Sequence, residues 1–167
     1  TELAWDPSGP PAIHLLPIET RATNATTSEF KRFPDEWECV PLDVSDARSL
    51  VEAFQQVRAT KRVPIEEAKH YGLFLQHETS RSAGFAADGM VEIPRWRHAV
   101  INFPHPLLEK GLVILDTPGL NAIGAEPELT LSLLPNAHAV LFILAADTGV
   151  TQSDLAVWRD YVHAGQT

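Results

Sequence analysis

The chain has 167 residues, 44% of them hydrophobic and 21% charged, the balance of a soluble globular protein with a core of its own. Thirteen lysines and arginines against 22 acids leave a net charge of −9, which argues against a nucleic-acid footprint and against a polybasic membrane surface within this segment. No apolar run approaches the roughly 20 residues that span a bilayer, and the single cysteine, Cys39, can form no intrachain disulfide, so a reducing, cytoplasmic compartment is the expectation.

Taken in order, the chain opens with two short strand candidates, Thr1 to Trp5 and Ile13 to Leu16. Asp6-Pro7-Ser8-Gly9 between them is strong turn chemistry, so the two read as a hairpin. Arg21 to Glu29 has no periodicity and reads as loop. Trp37 to Leu42 holds a short strand that Pro41 keeps at a sheet edge. Ser45 to Thr60 is a helix: Val44, Ala47, Leu50, Val51, Phe54 and Val57 recur at spacings of three and four, and Ser45 can cap it. Pro64 followed by Ile65-Glu66-Glu67-Ala68-Lys69 starts a second helix, with acids at its positive end and a stop near Gly72. Gln76 to Gly89 is unpatterned loop. Arg97 to Phe103 is a strand ended by Pro104 and Pro106.

Leu112 to Leu115 is an all-apolar run of the kind buried on both faces of a sheet, and it ends on Asp116 before Thr117-Pro118-Gly119. A carboxylate at the end of a buried strand is costly unless something there uses it. In open α/β sheets, that edge is where ligands sit. Asp-x-x-Gly suits a phosphate-and-magnesium site: the Asp holds the ion through water, and the Gly lets a main-chain N–H approach a phosphate. A turn-capping Asp and a plain turn Gly are the alternative readings of the same residues. Glu126 to Leu134 is a helix candidate, and Ala137 to Ala145 a second buried strand ending near Asp147. Thr151-Gln152-Ser153-Asp154 resembles a capping box before a helix with an apolar stripe of Leu155, Trp158, Tyr161 and Val162. Asp147 and Asp154 read better as turn former and cap than as a catalytic pair. The strand–helix–strand–helix order from 111 to 163 predicts an α/β fold in one domain: a mainly parallel sheet with flanking helices. None of the seven histidines is paired at a zinc spacing.

Leu-Asp-Thr-Pro-Gly-Leu-Asn at 115 to 121 resembles the third guanine-nucleotide motif of the GTPases. His138 to Trp158, with its buried strand, Ala-Asp and polar turn ending Ser-Asp, is similar to bacterial dynamin-like GTPases. Thr-Glu-Leu at the start and Ile13 to Arg21 also resemble that branch, where they follow the switch I threonine. The resemblance implies part of a P-loop GTPase domain of the dynamin type, with a lineage-specific insertion at about 22–95. It implies GTP and GDP as ligands and Mg²⁺ as cofactor. By the same resemblance, Asp116 orders the magnesium shell through water and Gly119 offers its N–H to the γ-phosphate. Thr117 and Pro118 shape the turn, and Thr1 is either the catalytic switch I threonine or lies just past it. Self-association through the GTPase domain and membrane remodelling by other parts of the parent, at the inner membrane face, are implied as well.

Two motifs of that family do not occur in these residues. None of the four lysines, 31, 61, 69 and 110, follows a glycine, so Gly-x-x-x-x-Gly-Lys-Ser/Thr is absent, and so is the guanine-reading Asn/Thr-Lys-x-Asp. The chain therefore reads as the central part of a GTPase domain, with the phosphate loop expected before Thr1 and the guanine motif beyond Thr167. A pseudo-GTPase or interaction module that kept the sheet, and an ATP-using relative, remain the alternatives.

Overall fold

The computed structural model describes residues 1–23, 25–73, 89–116, 137–141, 143–144 and 149–162. The chain divides into two units, Thr1–Asp116 and Thr117–Thr167. The first is built on a five-stranded sheet of order β3-β2-β6-β1-β7, made of β1 (Glu2–Ala4), β2 (Ala12–Pro17), β3 (Glu38–Pro41), β6 (Trp96–Asn102) and β7 (Ile114–Leu115). Beside it lies a two-stranded ribbon of β4 (Thr60–Pro64) and β5 (Met90–Pro94). Among the described residues of this unit, three α-helices occur: α1 (Thr27–Phe30), α2 (Ala47–Gln56) and α3 (Ile65–His70). In the second unit, α4 (Gln152–Val157) runs into a π-helical turn at Trp158–Val162. Among the described residues no helix is long and apolar enough to cross a membrane.

The sheet is mixed. β1 pairs with β6 in parallel, whereas β1 with β7, β2 with β3, and β2 with β6 are antiparallel. The expectation of a mainly parallel sheet is thus not met in the described part, and most of the stretch that suggested it lies outside the described residues. The hairpin expected of β1 and β2 does not form either. Its turn is present, with Gly9 N donating to Asp6 O, but β6 occupies the slot between the two strands and pairs with both.

One row of apolar side chains crosses all five strands in register: Val40, Ile13, Ile101, Leu3 and Ile114. Cross-strand partners lie on the same face. The α2 stripe of Leu50, Ala53 and Val57 packs on this face with Ile13, Leu15, Leu42, Ala99 and Ile101, and Phe54 meets Phe103 with ring centroids 6.4 Å apart. Asp46, not Ser45, caps α2: its carboxylate accepts from Arg48 N, while Ser45 donates to Asp43. The cover weakens towards β7. Ile13 is 0% exposed and Ile114 45%, so the run Leu112–Leu115 is an exposed edge rather than a strand buried on both faces. β7 has β1 on one side, and no other described strand pairs with it.

The ribbon has a second core of Val63, Ala68, Tyr71, Leu73, Val91 and Ile93, closed from the main sheet by Ile18. Arg95 is the corner between the two sheets, its N donating to Ala59 O and its carbonyl accepting from Ile18 N. The 22–95 stretch therefore contributes both to the main sheet, through β3 and α2, and to the ribbon. In the second unit, residues 137–141, 143 and 144 carry no strand, and Leu141 and Ile143 are exposed, against the buried strand expected there. The capping box of α4 does form, with Thr151 Oγ1 accepting from Asp154 N and Asp154 Oδ2 accepting from Thr151 N.

Candidate functional site

The two predicted site residues within the described part meet at one end of the sheet. Glu2 pairs with Leu115 and Leu3 with Ile114, and antiparallel register carries the ladder one rung further, to Thr1 and Asp116. The Thr1 nitrogen donates to Asp116 O at 2.7 Å, and Asp116 N donates to Thr1 O at 2.8 Å. The two residues are 115 positions apart in the chain, so their pairing is a long-range contact. Gly111, at φ +88°, turns the chain into the Leu112–Leu115 run after Gly111 N bonds Leu108 O, and Leu108 anchors this turn at 3% exposure. Thr117, Pro118 and Gly119 lie outside the described residues.

The donor set at this rung is all hard oxygen: an exposed Asp116 carboxylate at the end of β7 and the hydroxyl-bearing, half-buried Thr1 beside it. Mg²⁺ prefers one or two such protein oxygens, with water and phosphate completing its octahedron, so these residues fit that ion. Among the described residues no group of three or more His, Cys, Asp or Glu forms a cage for a metal.

Two features near the site were not legible in the sequence. Glu2, one residue from Thr1 and paired with Leu115, receives a hydrogen bond from Lys31 Nζ at 2.6 Å. The two lie 29 positions apart, and no spacing rule joins them. A cleft of about 440 Å³ lined by Pro17, Glu19, Glu38, Lys61, Arg95 and Trp96 opens between sheet and ribbon. Its cations are matched locally, Lys61 by Glu19 and Glu67 and Arg95 by Glu38, so it offers no net charge to an anion.

The model of the Dynamin family matches residues 13–164. The chain belongs to the dynamin family. It is 38% identical over 150 residues to a bacterial dynamin-like protein of Nostoc punctiforme, covering 89% of this chain and 19% of that protein. It is also 42% identical over 60 residues to isoniazid-induced protein IniA of Mycobacterium tuberculosis, in two strains, covering 35% of this chain and 9% of that protein. The chain therefore spans about a fifth or less of the curated relatives it matches. No solved structure matches it significantly. Family membership implies the P-loop GTPase fold class, and the mixed sheet carries Asp116 directly after β7.

Proposed function

We propose that the parent of this dynamin-family chain binds and hydrolyses GTP with Mg²⁺, and that Thr1 and Asp116 form one wall of the site. The observation that carries the reading is the reciprocal main-chain pair at 2.7 and 2.8 Å, which sets Thr1 opposite Asp116 at the end of β7. Asp116 holds the ion through water, and Thr1 lies within one rung of it. Bound Mg²⁺ would neutralise charge developing on the phosphates. Gly119 offers a main-chain N–H to the terminal phosphate, with Thr117 and Pro118 shaping the turn, and loss of that phosphate releases the turn as a switch. The resemblance to bacterial dynamin-like proteins supports coupling of this cycle to self-association through the GTPase domain and to remodelling of a membrane reached by other parts of the parent.

In the full-length parent, Asp116→Ala abolishes Mg²⁺-dependent GTP turnover. Wild-type rates in that variant remove Asp116 from the site. A second reading is a non-catalytic module that kept the sheet. The reading frame upstream of Thr1 discriminates: a phosphate-loop motif there supports the enzyme, and an unrelated sequence supports the module.

A further inference from the structure

The Thr1–Asp116 rung has a neighbour that is held from outside the sheet. Glu2 follows Thr1 in β1 and faces Leu115, the residue before Asp116. Its carboxylate is 19% exposed and is met by Lys31 Nζ at 2.6 Å. Lys31 sits at the C-terminal end of α1, and α1 is fixed in several independent ways. Thr26 and Glu29 close a capping box at its start. Thr27 and Phe30 are buried, and Trp37 Nε1 donates to Phe30 O at 2.8 Å. Arg97, on β6, donates to Thr20 O and Ala25 O, both at 3.0 Å, and lies over the Phe30 ring at 6.0 Å. The base of the Lys31 side chain is therefore anchored to the same sheet whose edge carries the site.

We infer that Lys31 is a positioning residue for the nucleotide corner, an inference that rests on the function proposed above. The ion pair holds Glu2 and with it the rung that aligns Thr1 with Asp116. An exposed ion pair alone changes equilibria by a small factor. A short charge-assisted bond between an anchored helix and a half-buried carboxylate lies at the strong end of that range.

The test is made in the full-length parent, by titrating Mg²⁺ and GTP against turnover. Lys31→Glu and Glu2→Lys each raise the KM for GTP and the Mg²⁺ concentration for half-maximal rate, by roughly five-fold, with kcat changed less than about two-fold. Lys31→Arg stays near wild type. The charge swap Lys31→Glu with Glu2→Lys recovers most of the loss, whereas the neutral double variant Lys31→Met with Glu2→Gln, of the same net charge, does not. Melting temperatures of all variants check that the fold is intact. Wild-type Mg²⁺ dependence in both single reversals overturns the inference, as does a neutral double variant that performs as well as the swap. Asp116→Ala in the same series separates the two levels: if it is inactive while the Lys31 variants are normal, only the positioning role falls, and if it is active, the site itself falls and the inference with it.

Discussion

At the scale of single residues, Asn102 makes four bonds with one side chain. Its Nδ2 donates to the carbonyls of Asp6, Gly9 and Pro10 at 3.1, 3.3 and 3.0 Å, and its Oδ1 accepts from Asp6 N at 2.7 Å. It thereby ties the turn between β1 and β2 to the end of the strand that separates them. Asn102→Ala leaves those groups without this partner and is expected to cost on the order of 1–3 kcal/mol, read from urea unfolding. Several titratable residues contribute to the pH dependence of the first unit. Asp6 lies below its ordinary value of 3.8 through bonds from Ser8, Asp43 likewise through Ser45, and Glu29 below 4.5 through Thr26. Each carboxylate binds fewer protons folded than unfolded. The stability it contributes is full above those ordinary values and is lost as pH falls through the folded ones. Tyr71 sets the opposite limb. Burial, then its bond to Glu67, then the charges of Glu67 and Glu19, raise it above 10.0, so its contribution is full below 10.0 and is lost as pH rises through the folded value. Tyr71→Phe is expected to flatten the alkaline limb of a urea-midpoint profile and leave the acid limb in place.

Among the elements, those with local signals were readable. The α3 helix begins after Pro64, carries Glu66 and Glu67 in its first turn and Lys69 and His70 in its last, and stops at Gly72, whose φ of +67° suits a residue without a Cβ. The α4 cap was readable for the same reason. Thr151→Ala removes the acceptor for Asp154 N and is expected to cost that helix about 1 kcal/mol, seen as faster amide exchange at Asp154 and Leu155. The ribbon was not readable. β4 carries one buried residue, Val63, and its partner Val91 comes from the far side of α3. A five-residue segment with Lys61 and Arg62 at its centre has too little alternation to separate it from a fraying helix end. The run Leu112–Leu115 misleads for the converse reason. Apolarity predicted burial on both faces, but burial depends on what packs alongside, and β7 pairs on one side with β1 alone among the described strands.

For the whole molecule, the proposed catalysis requires more than Thr1 and Asp116. The phosphates of a P-loop GTPase are cradled by a glycine-rich loop and its lysine, and no lysine of this chain follows a glycine. The 167-residue chain by itself is therefore expected to show no GTP turnover above a matched control preparation, and turnover that survives those controls would refute the reading of an incomplete site. The sequence by itself determined the family, the start and stop of α3 and the cap of α4. Those signals are short-range: a cap, a proline, a glycine or a motif acts within a few residues. Only the tertiary structure decided that β6 enters between β1 and β2, that Thr1 meets Asp116, and that Lys31 reaches Glu2. Strand neighbours are selected by competition among segments of similar apolarity at long separation. The register that wins is set by how the whole sheet packs against α1 and α2, which no local pattern encodes.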